Sequence, residues 1–439
     1  MDRREFLTAT GTTVATMTAA QYSRVLGAND RLNTAVVGVN GRGKSHIRTV
    51  AANAGMNVAA VVDIDQSVAE KAAAYTKQHQ QDAPTPKEYR DLRDMLADKE
   101  IDVVTIATTN HWHALSTIWA VQAGKDVYCE KPASHNIWEG RKMVEAARKY
   151  KRIVQVGQQS RSTPFKIEAI QRLREGVIGE VYMAKGLCFK RRKSIGSTAV
   201  SAVPPGVDYD IWLGPAQPYE FKQNRFHYNW HWHWAFGNGD IGNQGVHEMD
   251  VARWGLGIDH LPEHVFSAGG HFVYDDDQET PNTQHATFDY GGRMLQFEVR
   301  GLVTGGECRL LEDSGGGSHT IGVLFFGSDG FLTIANRGFQ TYLGEKRTPG
   351  PRRESEGDAT GAHFENFRKA VLSRRVSDLN CDVLEGHLSA ALCHLANISY
   401  RTGDKLLFDS ETERFVGNFG ANTLLKRDYR APWVVPEEV

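Results

Sequence analysis

The segment FHYNWHWHWAFGNGDIGNQGVHEMD, which runs from Phe226 to Asp250, concentrates side chains that could do chemistry. Its histidines could hold a metal ion, but their H-x3-H and H-x-H spacings fall on no predicted helix, and HExxH is absent. Its tryptophans could be core residues, because alternation would point some of the rings inward. They could also line a sugar pocket, where rings stack on C–H faces and Asn, Gln and His bind hydroxyl groups. The sequence predicts no metal site and leaves the other two interpretations open.

A charged pair, Glu130-Lys131, follows the apolar run VYC and precedes Pro132. A lysine whose surroundings lower its proton affinity can act as a general base near neutral pH. The alternative is an ordinary surface Glu–Lys pair at the end of a strand. The location of this strand end in the fold decides between the two.

Apolar runs alternate with helical patterns through the first half of the chain. The runs LNTAVVGV, MNVAAVVDID, IDVVTIATT, KDVYCEKP and RIVQVGQQ are read as strands, and the segments between them, KEYRDLRDMLADK included, as helices. Strands without polar alternation indicate a parallel sheet with helices on both faces. We therefore predict a doubly wound, Rossmann-type α/β domain over residues 31–157 and a second domain over residues 158–439.

The first strand-to-helix turn, Gly38-Val39-Asn40-Gly41-Arg42-Gly43, fits G-x-G-x-x-G with asparagine in the middle glycine position. Glycines let the backbone approach a pyrophosphate, and the helix N-terminus behind the turn favours the anion. Asp63, at the end of the second strand, would bind the adenosine ribose hydroxyls and repel a 2′-phosphate, which favours NAD over NADP. The predicted cofactor-binding residues are Gly38, Asn40, Gly41, Arg42, Gly43, Asp63, Ile64, Thr108, Asn110, His113, Glu130 and Lys131.

The other strand ends should reach the same cleft, since open α/β sheets bind ligands beyond the carboxyl ends of their strands. Lys131 would then lie beside the cationic nicotinamide ring, which favours its neutral form. Asn110 could bond the nicotinamide ribose, and His113 could face the ring or simply cap a helix. Arg161, after the fifth strand, is a candidate for substrate contact, with a surface salt bridge as the alternative.

The second half reads mainly as alternating strands. VYMAKGLCF, EHVFSAGGHFVY, TQHATFDY, RMLQFEVRGL and IGVLFFG show the period of two that is typical of an antiparallel sheet. Residues 363–374 and 384–401 are predicted to be helical. The segment TPGPRRESEGDATG is predicted to be a polar loop without core-forming residues.

Several motifs, in order, resemble the glucose-fructose oxidoreductase / inositol dehydrogenase / MocA (Gfo/Idh/MocA) family. They are GVNGRG, VVDID, ATTNHWHA, AGKDVYCEKP and GDIGNQGVHEMDVARW, and the resemblance covers residues 31–439. DYDIWLGPA, the WHW cluster and TPNTQHATFDYG make the chain similar to the exported members. The resemblance implies a Rossmann domain followed by an α/β domain with a large open, mostly antiparallel sheet.

The resemblance also implies roles for individual residues. Lys131 matches the family's active-site lysine, and His247 matches the histidine of an Asp-x-x-x-His motif that relays the substrate proton. The acidic position of that motif is Asn243 here, and an amide can orient a neighbour but cannot act as a base. With His247 opposite Lys131, the sugar-pocket interpretation becomes the favoured one. The predicted substrate residues are Arg161, Trp230, Trp234, Asn243, Gln244 and His247.

The leading functional prediction is an NAD-dependent oxidoreductase acting on a sugar, polyol or glycoside hydroxyl. The alternatives are a redox-neutral glycoside-cleaving enzyme of the same family, which oxidises, eliminates and reduces, and a non-catalytic NAD-bound sugar-binding protein. A net charge of −2 favours neither nucleic acid nor an acidic membrane surface as a partner. The expected partners are a small carbohydrate and further copies of the chain, joined as a dimer or tetramer through the C-terminal sheet.

The first 30 residues are predicted to be a twin-arginine export signal, with a periplasmic or extracytoplasmic location for the protein. Arg3 and Arg4 precede Phe6 and Leu7, and no further charge occurs before Arg24. The six threonines of this region make it too polar for a membrane span. The five cysteines contain no C-x-x-C pattern, which argues against a zinc ribbon or a redox motif.

Overall fold

The structure, a computed structural model, describes residues 31–302 and 319–439. The predicted export signal over residues 1–30 lies outside the described residues, and so does Cys308. Cys129, Cys188, Cys381 and Cys393 are buried free thiols. Within the described ranges, no helix combines the length and apolarity that crossing a membrane requires.

The first domain is built on six parallel strands in the order β3-β2-β1-β4-β5-β6. The strands are β1 (Leu32–Val37), β2 (Met56–Val62), β3 (Lys87–Tyr89), β4 (Val103–Ile106), β5 (Asp126–Cys129) and β6 (Val154–Val156). The accompanying helices are α1 (Arg42–Ala51), α2 (Gln66–His79), α3 (Leu92–Leu96), α4 (Asn110–Gln122) and α5 (Ile137–Lys149). Strands β4 to β6 are buried at every position, because helices cover both faces of the sheet. The predicted doubly wound α/β fold is confirmed.

The helical prediction for KEYRDLRDMLADK is wrong over its first residues. Lys87–Tyr89 pairs with β2 as the edge strand of the sheet, and the helix α3 that follows spans only Leu92–Leu96. An edge strand has one neighbour and exposed side chains, so its polar residues do not show the apolar pattern of the central strands.

The second domain contains a ten-stranded sheet in the order β14-β13-β12-β11-β7-β10-β9-β8-β15-β16. All neighbouring pairs are antiparallel except β7 and β10, which confirms the mostly antiparallel prediction. The strands are β7 (Val181–Lys190), β8 (His264–Gly270), β9 (Thr283–Asp289), β10 (Met294–Arg300), β11 (His319–Gly327), β12 (Gly330–Ala335), β13 (Gly338–Leu343), β14 (Thr348–Glu354), β15 (Leu406–Asp409) and β16 (Arg414–Phe415).

Helices cover one face of this sheet. The helices that follow β6 are α6 (Pro164–Arg174), α7 (Tyr209–Leu213), α8 (Val246–Leu256), α9 (Thr360–Ser373), α10 (Val383–Thr402) and α11 (Phe419–Thr423). Of these, α8 and α10 pack directly on the sheet. Along β10, Leu295, Phe297 and Val299 are buried in the core, and the residues between them are less buried. The packing is close: a Cβ at Gly245, just before α8, would lie 2.5 Å from the Phe297 ring.

The predicted polar loop TPGPRRESEGDATG begins with a strand, and this prediction is corrected. Thr348–Glu354 forms β14, which pairs with β13 at the edge of the sheet. Prolines are tolerated on edge strands because one side of the backbone needs no partner, and polar side chains there face water. Composition alone therefore did not separate this strand from a loop.

Later segments return to pack on the first domain. Phe364 and Phe367 of α9 lie in the same apolar cluster as β1 and β2, and the Phe364 ring stacks on Tyr128 at 4.1 Å. A backbone bridge joins Gln155 of β6 to Asp382. The six parallel strands thus lie within the predicted range 31–157, but the core that supports them is completed by residues far along the chain.

Candidate active site

A cavity of about 370 Å³ lies at the carboxyl ends of the parallel strands, against the aromatic segment of the second domain. It brings together most of the site residues predicted from the sequence. Those that line it are Gly38, Asn40, Gly41, Arg42, Asp63, Ile64, Thr108, Asn110, His113, Glu130, Lys131, Trp230 and Asn243.

The turn between β1 and α1 forms one end of the cavity. Gly38 has a φ of +79°, and a Cβ there would lie 2.7 Å from the carbonyl oxygen of Ala107. Gly43 does not line the cavity, but its Cβ would lie 2.0 Å from the Gly38 oxygen, so it lets the helix approach the turn. No side chain caps the N-terminus of α1, whose first N–H groups are therefore available to an anion.

Asp63 lies just after β2, on the cavity wall. Its carboxylate accepts hydrogen bonds from the Val39 N–H at 2.9 Å and the Asp65 N–H at 3.1 Å. Burial raises the pKa of Asp63 to about 6, although the backbone hydrogen bonds oppose this. The group is therefore charged above about pH 6 and would oppose a nearby 2′-phosphate.

Replacing Asp63 by alanine should lower the affinity for NAD by roughly 10- to 100-fold and leave that for NADP much less affected. The reason is that hydrogen bonds to a charged group contribute about 1.5–3 kcal/mol, and the replacement also removes a repulsion from the 2′-phosphate. Calorimetric titration with both dinucleotides above pH 6 measures the effect. Glu70→Ala, which removes the same charge from the exposed part of α2, is the matched control. An unchanged NAD/NADP ratio in Asp63→Ala contradicts the assignment.

Glu130 connects the glycine turn to the end of β5. Its Oε1 accepts hydrogen bonds from Arg42 Nε at 2.7 Å, from Gln159 Nε2 at 3.3 Å, and lies 3.0 Å from His46 Nε2. Burial alone would raise the pKa of Glu130, but Arg42 and His46 hold it well below its usual range. This buried carboxylate orients its neighbours and does not act as an acid.

Lys131 follows Glu130 directly and presents its amine to the cavity. Nζ donates to the Asn243 carbonyl oxygen at 2.5 Å and lies 3.5 Å from Asn243 Oδ1. Burial lowers the pKa of Lys131, Glu130 opposes this effect, and Arg42 and Arg192 add to it. Asn243 lies in a π-helical turn, Ile241–Gly245, a feature that occurs frequently at functional sites. The amide thus faces the amine without supplying the charge of a carboxylate.

His247 starts the helix that follows this turn, and its Nδ1 lies 3.0 Å from Gln158 Oε1. Burial, and then the positive charge of Lys131, lower the pKa of His247 to about 3, so the ring is neutral near pH 7. His247 is absent from the cavity lining, although it lies close enough to Lys131 to feel its charge. Asp240 does not replace the missing acid, because its carboxylate pairs with Arg192 at 2.7 Å.

His113 and Asn110 line the cavity but are held by protein groups. The two ring nitrogens of His113 lie 2.7 Å from the Pro132 oxygen and 3.2 Å from the Thr108 oxygen. Asn110 Nδ2 donates to Asn238 Oδ1 at 3.0 Å. Both side chains therefore shape the wall. Because the polar atoms named here already contact protein groups, a ligand would mainly contact the faces of these side chains.

Four of the six predicted substrate residues lie outside the cavity wall: His247, described above, and Arg161, Trp234 and Gln244. Arg161 is buried in an ion pair with Asp250, whose Oδ1 is 2.9 Å from Arg161 NH2. Trp234 contacts the guanidinium of Arg401 at 5.2 Å from the ring centre, and Gln244 donates to Glu248. The alternative considered for Arg161, a salt bridge, is the one present, although it is buried and not at the surface.

The aromatic segment divides between core and cavity. Trp230 belongs to a buried cluster with Trp212 and Phe236, and it also lines the cavity. Trp232 is buried, with the Arg192 guanidinium 5.4 Å from its ring centre. Among residues 31–302 and 319–439, no group of three or more His, Cys, Asp or Glu side chains is arranged to hold a metal ion. Trp232 is thus a core residue, whereas Trp230 belongs to the buried cluster and to the cavity wall at once.

Sequence reasoning did not assign several wall residues. Several of them are aromatic, and these include Trp112, Trp212, Tyr228 and His231. The motif DYDIWLGPA, which contains Trp212, contributed to the family resemblance, but no functional role was predicted for its residues. Asn40 Nδ2 also donates to His227 Nδ1 at 2.9 Å, a contact between the two domains that no local pattern indicates.

The residues around the cavity fit a nicotinamide dinucleotide. The uncapped N-terminus of α1 and the close approach at Gly38 suit a pyrophosphate. The carboxylate of Asp63 suits the adenosine ribose, and Lys131 lies at the end of β5, where the nicotinamide would extend.

Comparison with protein families gives two matches. Residues 32–158 match the oxidoreductase family with an NAD-binding Rossmann fold, and residues 181–277 and 355–435 match the C-terminal α/β domain of the same family. Together the matches cover most of the chain. They agree with the strand order of the first sheet and with the large second sheet.

Curated relatives match only part of the chain. The inositol 2-dehydrogenase of Salmonella paratyphi B is 33% identical over 157 residues, which are 35% of this chain and 45% of the relative. A glycosyl hydrolase family 109 protein of a Shewanella species is 26% identical over 201 residues, or 41% of this chain and 44% of the relative. The chain therefore spans about half the length of the curated relatives that it matches.

Solved structures share the whole fold. A levoglucosan dehydrogenase in complex with NADH and levoglucosan is 18% identical, with a TM-score of 0.65, and the match covers 86% of this chain and 99% of that one. The aldose-aldose oxidoreductase of Caulobacter crescentus is 18% identical, with a TM-score of 0.64 and coverage of 86% and 100%. With its NAD-binding Rossmann domain and its C-terminal α/β domain, the chain belongs to the Gfo/Idh/MocA oxidoreductase family.

Proposed function

We propose that the protein is an NAD-dependent oxidoreductase acting on a hydroxyl group of a sugar, polyol or glycoside. The observation that carries the proposal is the buried amine of Lys131, with its lowered pKa, in one cavity with the glycine turn and Asp63. Bound NAD supplies a hydride acceptor at its nicotinamide ring. The names of the inositol 2-dehydrogenase and levoglucosan dehydrogenase relatives support this substrate class.

Lys131 is the group that takes the proton of the substrate hydroxyl. Burial favours its neutral form, and its contact with the Asn243 carbonyl oxygen holds Nζ in place. His247 is neutral, is bonded through Nδ1 to Gln158 and lies just outside the cavity wall, and we propose that it assists Lys131 from there. Trp230 offers an aromatic surface for the C–H groups of a sugar. These side chains position, deprotonate and shield the reacting group.

The experiment that tests the proposal is a substrate screen on the purified protein loaded with NAD. Sugars, polyols and aryl glycosides are supplied singly, and NADH absorbance and aglycone release are read together. NADH formation with at least one free sugar or polyol supports the proposal. Tight sugar binding without any hydride transfer in single-turnover assays would instead identify a non-catalytic binding protein.

Replacing Asn243 by aspartate should move the pH optimum upward by roughly one to three pH units, because a carboxylate close to an amine favours the charged form by that amount. The new charge would lie where Oδ1 now stands, 3.5 Å from Lys131 Nζ, and would raise the pKa of Lys131. The pH profile of kcat/KM measures the shift. Asn243→Ala, which removes the contact without adding a charge, is the control. An unshifted profile in Asn243→Asp means that Lys131 is not the group that titrates.

A redox-neutral, glycoside-cleaving reaction is the second candidate. The similarity to a glycosyl hydrolase family 109 protein favours it. In that cycle a sugar hydroxyl is oxidised to a ketone, the adjacent C–H loses its proton, and the aglycone leaves with a proton. Water then adds at the anomeric carbon of the enone, the adjacent carbon is reprotonated, and the ketone is reduced again, so that the net reaction is hydrolysis. Deuterium incorporation at the carbon next to the anomeric centre, with NAD needed only in catalytic amount, supports this candidate. Stoichiometric NADH with an intact glycosidic bond contradicts it.

Export through the twin-arginine route is part of the proposal. It rests on Arg3 and Arg4 and on the threonine-rich run that starts at Phe6 and carries no charge before Arg24. An exported enzyme has no free dinucleotide pool, so we also propose that it is exported with NAD already bound. Fractionation of cells expressing the wild type and an Arg3→Lys, Arg4→Lys variant tests the route: the variant should stay in the cytoplasm.

Association through the open face of the second sheet is a further part of the proposal. Phe266, Met294 and Leu407 are exposed large apolar side chains on strands of this sheet. Scattered charges such as Glu298 lie on the neighbouring positions. We expect a dimer or tetramer by light scattering during gel filtration, and Phe266→Glu should lower the measured mass. A monomeric wild type contradicts the expectation.

A further inference from the structure

His231 lies in the cavity wall beside Lys131, and its ring is fixed on two sides. Nδ1 is 2.5 Å from the carbonyl oxygen of Tyr228, and the ring stacks on Trp230 with centroids 3.6 Å apart and planes 20° apart. A carbonyl oxygen accepts only, so the proton of the neutral ring must be on Nδ1. Nε2 therefore carries a lone pair, and none of the described residues bonds to it.

The surroundings of His231 keep this ring unprotonated. The pKa of His231 is lowered to about 3, chiefly by burial and also by the nearby Lys131, Arg192 and His113 side chains. The hydrogen bond to the Tyr228 carbonyl acts in the opposite direction. Nε2 is thus a hydrogen-bond acceptor throughout the range in which the protein would work. It requires a donor, and a hydroxyl group is the donor that a carbohydrate supplies.

We propose that His231 is a specificity-determining residue that binds a second hydroxyl group of the substrate through Nε2, while Lys131 acts on the first. The inference rests on the proposed function and narrows its substrate class to compounds that carry two hydroxyl groups within reach of both side chains. A substrate with one hydroxyl group cannot make the hydrogen bond to Nε2, and the loss of this bond is what discriminates.

The first test needs no substrate. In the NAD-loaded protein labelled with nitrogen-15 in histidine, the signal missing from the His231→Phe variant assigns His231. We expect Nδ1 to be protonated and Nε2 to be bare between acidic and neutral pH. Protonation at Nε2 overturns the inference and leaves the proposed oxidoreductase function intact.

The second test uses myo-inositol and D-glucose, each with its set of monodeoxy derivatives, in calorimetric titrations of the NAD-loaded protein. His231→Phe keeps a ring on Trp230 but removes the acceptor, and should weaken binding of the parent compound by about 10-fold, as expected for one hydrogen bond. One monodeoxy derivative should bind the wild type and the variant with equal affinity. This derivative lacks the hydroxyl group that bonds to His231, so removing the His231 acceptor as well costs nothing more. His231→Gln, which restores an acceptor oxygen, should recover part of the affinity.

His260→Phe is the matched control, since His260 lies outside the cavity wall and pairs with Asp259 at the surface. Equal loss with every monodeoxy derivative in His231→Phe overturns the inference, because no particular hydroxyl would then be recognised. If His231→Phe binds the parent compound as tightly as the wild type and NADH is still formed, the role proposed for His231 is overturned but the oxidoreductase function is not. Failure of both parent compounds to bind the wild type, without NADH formation, counts against the inference and the proposed function alike.

Discussion

Replacing Lys131 by methionine should lower kcat by about 10²–10⁴-fold, the usual range for loss of a general base, and leave NAD affinity within a few-fold. Methionine fills a similar volume, so the cavity should keep its shape. The buried carboxylate of Glu130, which holds Arg42, remains in place in the variant. The glycine turn and Asp63 bind the other end of the dinucleotide, and their contacts do not involve the Lys131 amine.

Lys131→Arg separates the proton-transfer role from a purely electrostatic one. A guanidinium stays protonated at any working pH, so it keeps the positive charge but cannot accept a proton. If Lys131 is the base, the arginine variant should be as slow as the methionine variant. Single-turnover measurement of NADH formation, beside calorimetry with NAD, provides the comparison. Wild-type turnover in Lys131→Arg means that the residue contributes charge alone and that another group takes the proton.

The prediction of the fold from sequence succeeded where apolar periodicity was strong. Five of the six parallel strands are visible as mainly apolar runs, and four of these are followed directly by glycine or an acidic residue. The edge strands β3 and β14 were missed for a common reason. Each strand pairs with a single neighbour, and much of its surface faces water. Its side chains are therefore mostly polar, and the sequence shows no alternation of apolar and polar residues.

The sequence correctly indicated that residues following the strands share one cleft, but it did not indicate the residues that other parts of the chain position. Gly38, Asp63 and Lys131 lie where the strand ends place them, in one cavity. His231 did not stand out from the neighbouring histidines, because its distinguishing feature is the Tyr228 carbonyl at Nδ1. The spacing of histidines in a sequence does not reveal which ring nitrogen has a hydrogen-bond partner.

Arg161 was predicted to be a site residue but is held by partners that are distant in sequence. Its position after the fifth strand suggested a side chain that reaches the cleft. In the structure, α8 places Asp250 against its guanidinium, and the N-terminal part of α10 adds Glu385 at 3.0 Å. Both partners are more than 80 residues away in sequence. Whether an arginine faces a ligand or a buried carboxylate is decided by such distant partners.

We expect Arg161→Met to lower the free energy of unfolding by roughly 3–5 kcal/mol, the range observed when one partner of a buried ion pair is removed. Asp250 is fully buried, and the remaining charged neighbour, Arg253, is 3.9 Å away. Ser389 Oγ still donates to Asp250, but a hydroxyl does not neutralise the charge. Urea-induced unfolding measures the loss. Double replacement of Arg161 by methionine and Asp250 by leucine should recover much of it, because no buried charge then remains unpaired.

The pH dependence of this loss has a definite sign. Burial would raise the pKa of Asp250, but Arg161 and Arg253 hold it below its ordinary value in the folded protein. The ion pair therefore stabilises the fold above the pKa of an unfolded aspartate, and its contribution disappears as the pH falls through the lower, folded value. The difference in stability between wild type and Arg161→Met should accordingly shrink in acid. Arg161→Met that is stable but has a raised KM would instead assign Arg161 to substrate binding.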